Sequence, residues 1–129
     1  MKYVVNIDSR EPDEDPTYPR SLRDRVKDRD SEILRDTYYL IDPEECESRG
    51  LKMGHTTIYP TGSTTGHSHD DMEETYFFIS GKGTMVVGDD EFDVEAGDAL
   101  YVPPGEYHTT YQRGNLPLRM IWVTGKIKE

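Results

Sequence analysis

The chain has 129 residues and a mass of 14.9 kDa, enough for one domain with a modest core. Hydrophobic residues make up 33% and charged residues 32%, with a mean hydropathy of −0.82, a balance that by itself borders on that of a disordered chain. Thirteen aromatics, eight prolines and eleven glycines fall where strands and turns need them, and this pattern argues for a folded domain. The net charge of −11 is spread over both halves of the chain, which excludes nucleic acids and anionic membranes as natural partners. No apolar run approaches the roughly 18 to 20 residues of a membrane span, and the N-terminus turns acidic before any signal-peptide core forms. A soluble, cytoplasmic protein is expected. The single cysteine, Cys46, has no partner for an intrachain disulfide and reads as a small, half-buried side chain.

In chain order, Val4, Val5 and Ile7 spell a brief strand. Residues 8–36 are dense in charge and interrupted by Pro12, Pro16 and Pro19, and within them 21–30 (SLRDRVKDRD) read as a short solvated helix or turn. Residues 38–41 predict a second strand. Asp42-Pro43-Glu44-Glu45 has the grammar of a helix start, with Asp as cap, Pro at the first position and Glu three after the cap, and Gly50 would close that single turn. The composition changes near Gly50. Residues 1–50 therefore read as an N-terminal extension packing on the domain or on a partner subunit, and 51–129 as the domain itself.

From Leu51 onward short strands alternate with turn residues. The predicted strands are 53–59, 66–69, 74–79, 84–87, 91–94, 99–102, 108–112 and 118–123, separated by segments such as Gly81-Lys82-Gly83, Gly88-Asp89-Asp90 and Pro103-Pro104-Gly105. Strands at this regular spacing predict an all-β sandwich or barrel. Residues 75–79 and 120–123 are apolar on both faces, so their outer face needs a cover; a homodimer built through sheet faces, with residues 3–7 crossing over, is expected.

The sharpest chemical feature is His67-Ser68-His69. In an extended segment, side chains two apart share a face, so both imidazoles enter the same space, half of a site for a divalent transition metal. Four residues separate His69 from Glu74, and six more separate Glu74 from Gly81. Gly97 is followed after five residues by Pro103-Pro104-Gly105 and after two more by His108. GSTTGHSHDDMEETYFFISG and GDALYVPPGEYHTTYQ together resemble the two-motif signature of the cupin superfamily, over about residues 51–125. Fifteen residues lie between Gly81 and Gly97, the compact spacing of single-domain cupins. The sequence departs from the pattern at two places: Gly62 stands four residues before His67 instead of five, and Gln112 occupies the position of an Asn.

The resemblance implies a double-stranded β-helix, the jelly-roll cupin barrel, with one divalent transition metal (Mn, Fe, Co, Ni or Zn) held by His67, His69, Glu74 and His108. Three of the four histidines of the chain fall on these positions. Glu73 competes with Glu74, but neighbouring strand residues face opposite ways and only Glu74 keeps the six-residue spacing to Gly81. Strand parity adds Tyr76 and Phe78 on the face of Glu74, Thr110 and Gln112 on that of His108, and a shared face for Met53, His55, Thr57 and Tyr59. Tyr76 and His55 are the candidate proton-transfer groups, and Tyr59, Phe78, Thr110 and Gln112 the candidate pocket wall.

Cupins perform many chemistries on one fold. Thr65-Gly66-His67-x-His69, Glu74-x-Tyr76 and Tyr101-Val102-Pro103-Pro104 followed by His108 resemble stretches of the archaeal cupin-type phosphoglucose isomerases. That resemblance implies metal-assisted isomerisation or proton transfer on a small sugar- or hydroxy/keto-type molecule. A metal-dependent dioxygenase and a non-catalytic small-molecule-binding cupin are the alternatives.

Overall fold

A computed structural model of the chain describes residues 4–12, 35–64 and 66–127. Its regular structure is nearly all strand: β1 (Arg35–Ile41), β2 (Leu51–Ile58), β3 (Met72–Ser80), β4 (Lys82–Val87), β5 (Asp90–Glu95), β6 (Ala99–Val102), β7 (His108–Arg113) and β8 (Leu118–Lys126). These form a five-stranded sheet in the order β1-β2-β8-β3-β6 and a three-stranded sheet in the order β5-β4-β7, with every pair antiparallel. The two sheets enclose one core, as in a jelly roll. Among the described residues no helix is long and apolar enough to cross a membrane.

Alternation along the strands builds that core. On β3 the inward set is Glu74, Tyr76 and Phe78, while Glu73, Thr75, Phe77 and Ile79 face out. On β8, Leu118, Met120, Trp122 and Thr124 face in. With Ile58, Met85, Val94 and Val102 they make a continuous apolar centre, and Phe78, Ile58, Met85, Leu118 and Met120 are completely buried. Gly54 on β2 stands directly across from Trp122, and a Cβ there would lie 2.0 Å from the indole ring. The glycine is what lets the indole lie flat over the neighbouring strand.

Several sequence expectations are corrected. Residues 4–7 form no strand, because Asn6 accepts from the amide of Asp8 and its carbonyl from the Ser9 hydroxyl, closing the turn Ile7–Ser9; local side-chain bonds win over β-propensity. Residues 66–69 are not a strand either, and pairing there is reduced to a single bridge between His67 and His108. The strand at 38–41 begins earlier, at Arg35, and pairs along β2, so this part of the expected N-terminal extension belongs to the large sheet. Asp42 does organise a turn, accepting on its side chain from Glu44 and on its carbonyl from Glu45 and Cys46, but no helix follows. Arg10 reaches back to this region, with an ion pair to Glu45 at 2.6 Å and a bond to the Leu40 carbonyl. The helix or turn expected at 21–30 lies outside the described residues.

The outer face of the large sheet carries two cross-strand rows, Ala99–Phe77–Ile121–His55–Tyr38 and Tyr101–Thr75–Val123–Met53–Ile41. Phe77 remains 49% exposed and Tyr101 51%. The homodimer expected from the sequence requires this face. Light scattering at micromolar concentration should return twice 14.9 kDa, and Phe77→Lys should return one chain; a single-chain mass for the unmutated protein refutes the expectation. Gly54→Ala should cost about 1–3 kcal/mol in denaturant unfolding by displacing Trp122; an unchanged midpoint would show that the indole moves aside freely.

Candidate metal centre

Glu74, His108, His67 and His69 come from three different parts of the chain, and backbone hydrogen bonds bring them together. Glu74 points inward from β3 between its cross-strand partners Val102 and Thr124, and it is 6% exposed, whereas Glu73 is solvated. His108 opens β7 and is buried. Residues 62–64 and 67 lie alongside β7 without forming a full ladder. The Thr64 amide donates to the Thr110 carbonyl, the Gln112 amide to the Gly62 carbonyl, and His67 and His108 exchange two bonds, at 3.1 and 2.9 Å. His69 is fixed from the other motif, since the Gly105 amide donates to its carbonyl at 2.6 Å. Gly105 has a φ of +80°, a conformation that favours glycine, so the Pro-Pro-Gly turn is shaped to deliver that amide.

One ligand atom from each of His67, His69, Glu74 and His108 lies within 4.8 Å of the others. The rings of His67 and His108 have their centroids 4.3 Å apart, and those of His67 and His69 4.7 Å. His108 Nδ1 is 3.1 Å from the Glu106 carbonyl, which can only accept, so Nδ1 carries the proton of the neutral ring and the Nε2 lone pair faces the cluster. Nε2 then stands 2.8 Å from Glu74 Oε2, yet both atoms are buried and neither completes a well-directed hydrogen bond. Two buried acceptors facing each other at that distance require a cation between them. Without a metal that cation is a proton. Burial pulls the His108 pKa down, but the close Glu74 carboxylate and the Glu106 carbonyl outweigh it, so the net direction is upward. The donor set of three imidazoles and one carboxylate fits a divalent transition metal and leaves coordination positions open.

Beside the cluster lies a cavity of about 350 Å³, at the small end of ligand pockets. His67, His69, Glu74 and Tyr76 belong to its lining, together with residues of β1 (Arg35, Thr37, Tyr39), of β2 (Lys52, Thr56) and of β8 (Met120, Trp122, Thr124). Tyr76 is buried, and burial together with the charge of the neighbouring Glu74 carboxylate raises its pKa well above the usual phenol value, against a smaller opposing effect of Arg35. It therefore stands beside Glu74 as a neutral phenol.

The remaining sequence candidates lie elsewhere. His55 faces away from the cavity, paired across strands with Tyr38 and Ile121, and burial and then Arg119 lower its pKa. The face of β2 that enters the interior carries Gly54, Thr56 and Ile58, the opposite parity from the one expected. Tyr59 sits outside the cavity, its hydroxyl bonded to Asp36. Phe78 lies in the core, stacked near-parallel to Tyr76. Thr110 faces inward but bonds Met85 Sδ. Gln112 is a loop organiser: its Oε1 accepts from the Thr61 amide and its Nε2 donates to the carbonyls of Gly114 and Leu116. Missed by the sequence reading were Arg35, Thr37 and Thr56. The every-second-residue pattern Arg35-x-Thr37-x-Tyr39 was the signal for the first two, hidden by the charge-dense segment around it.

Glu73 and Glu74 allow a direct test. Glu74→Gln should lower affinity for added Mn(II) or Zn(II) by about tenfold or more. Glu73→Gln should leave it unchanged and cost about half a kcal/mol or less in stability. Titrations of both variants decide, and the reverse result would mean a register slip of one residue on β3.

A cupin domain model matches residues 54–124. The chain is 38% identical over 65 residues to an uncharacterised protein of Methanocaldococcus jannaschii, covering 50% of this chain and 52% of that one. It is 37% identical over 92 residues to the glucose-6-phosphate isomerase of Thermococcus litoralis, covering 61% of this chain and 48% of the relative. The chain thus spans about half the length of these relatives. In structure it superposes on a predicted oxalate decarboxylase of Thermotoga maritima with a TM-score of 0.75 at 19% identity, over 96% of this chain and 99% of the other, a likeness of fold. With more than half of its residues matched by the domain model, the chain belongs to the cupin family.

Proposed function

We propose that this cupin binds one divalent transition metal at His67, His69, Glu74 and His108 and is a metalloenzyme acting on a small polar molecule by isomerisation or proton transfer. The observation that carries the reading is the pair of buried, facing acceptors, Glu74 Oε2 and His108 Nε2, at the edge of a cavity lined by hydroxyls. A bound metal supplies Lewis acidity towards a carbonyl or hydroxyl oxygen. The chain's own residues hold the site and the substrate. The Glu106 carbonyl fixes the His108 tautomer, and Trp122 keeps one wall of the cavity apolar. The hydroxyls of Thr37 and Thr56, 3.0 Å apart, offer short polar contacts of the kind that fix a hydroxylated ligand. The similarity to isomerases of Thermococcus species supports this chemistry over an oxidation.

Anaerobic purification followed by elemental analysis should return about one Mn, Fe, Co, Ni or Zn per chain. The metal-loaded protein should interconvert an aldose–ketose or hydroxy–keto pair without consuming oxygen. Absence of retained metal together with no affinity for added Mn, Fe or Zn would sink the metal reading. Substrate-dependent oxygen uptake by the Fe(II) form would replace the isomerase with a dioxygenase.

A further inference from the structure

The chain carries 26 acidic side chains, but among the described residues only one of them, Glu74, lines the cavity. Two cations share that wall. Arg35, at the start of β1, is 8% exposed, and Lys52 lies towards the rim with its Nζ 4.4 Å from the centre of the Tyr39 ring. A guanidinium does not sit in a cavity wall by default, because burying a charge is costly unless the surroundings are built for it. Here they are built. Arg35 Nη1 donates to Thr37 Oγ1, which is in contact with Thr56 Oγ1, and Thr56 Oγ1 in turn accepts from Trp122 Nε1 at 3.0 Å. This chain of hydroxyls, anchored on the core indole, fixes the plane of the guanidinium. Arg35 and three members of the ligand cluster, His67, His69 and Glu74, line the same cavity. Arg35 lies outside residues 54–124, the part of the chain matched by the family model.

We propose that Arg35, with Lys52 at the rim, receives the oxyanion end of the substrate, a carboxylate or a phosphate ester, while the other end meets the His/His/Glu/His cluster. This makes Arg35 a specificity-determining residue, and it rests on the reading that the chemistry takes place at that cluster. A planar fork of donors matches either oxyanion in two parallel bonds, which a single ammonium cannot do. A neutral sugar or polyol gains nothing from it.

The test uses Mn(II)-loaded protein and ligand pairs with and without the oxyanion on the same carbon skeleton: malate against 1,2,4-butanetriol, and glycerol 3-phosphate against glycerol, each by calorimetric titration. At least one anion should bind about tenfold or more tightly than its neutral twin, and the pair that does so identifies the oxyanion. Arg35→Gln should abolish that preference while keeping the manganese stoichiometry, and Lys52→Gln should weaken it less. Arg35→Lys keeps the charge without the fork and should lose at least about threefold, which decides the matter should Arg35→Gln not fold. Equal binding of both members of each pair, no anion binding below about 10 mM, or a preference untouched by Arg35→Gln or, where only that variant folds, by Arg35→Lys, would each overturn the proposal. Manganese loss from the unmutated protein with the anion preference intact would instead remove the metal reading and leave Arg35 in its role.

Discussion

The reciprocal pair of backbone bonds between His67 and His108 is the constraint on which the site depends. Neither residue is held by its side chain alone. The two histidines come from segments 41 residues apart, and the exchange of amide and carbonyl at one bridge sets both rings at once. Thr64 extends the same lacing: its hydroxyl accepts from the Thr110 amide and its carbonyl from the Thr109 hydroxyl. A segment with two isolated bridges and several side-chain bonds is held in place without a continuous ladder. The Gly105–His69 bond completes the arrangement from the opposite direction, so that each of the two motifs positions a ligand of the other.

The large sheet supplies what the loops cannot. Glu74 is the only ligand on a long central strand, paired on both sides, and its direction is therefore fixed by the whole register of β3 against β6 and β8. The exposed histidine at 67 and the buried one at 108 place the cluster at the boundary between the cavity and the core. Tyr76, two residues further on the same face, continues the row and ends in the stacked ring of Phe78. Chemistry and core thus follow one another along a single strand at a period of two.

How much of this was legible in the sequence depended on whether local pattern or distant pairing decided the outcome. The parity of Glu73 and Glu74 was readable because β3 is long and alternates cleanly, so one assignment fixed the facing of the strand predicted over 74–79. The clustering of His67, His69, Glu74 and His108 was expected from the resemblance of the two motifs to the cupin signature. The parity of β2 was not: Met53-Gly54-His55-Thr56-Thr57-Ile58 has no clean alternation, and three consecutive residues, Thr56 to Ile58, are all buried. Only the pairing of Gly54 against Trp122 reveals which face is inside, and that contact spans 68 residues. Gln112 and Thr110 were placed on the correct face but given the wrong task, because a buried polar side chain looks the same in sequence whether it meets a ligand or a loop. Arg35 was lost for the opposite reason, a buried charge hidden among many exposed ones.

Trp122 is the single tryptophan of the chain. It fills the core beside Gly54, meets Tyr39 edge-on at 5.8 Å and presents part of its ring to the cavity. The molecule therefore carries one indole chromophore, and that chromophore lines the cavity beside the His/Glu cluster. Its emission wavelength and quenching report the polarity of the cavity with no background from other tryptophans. Occupancy, solvent access and the movement of β1 against β8 can all be followed optically in the unlabelled protein.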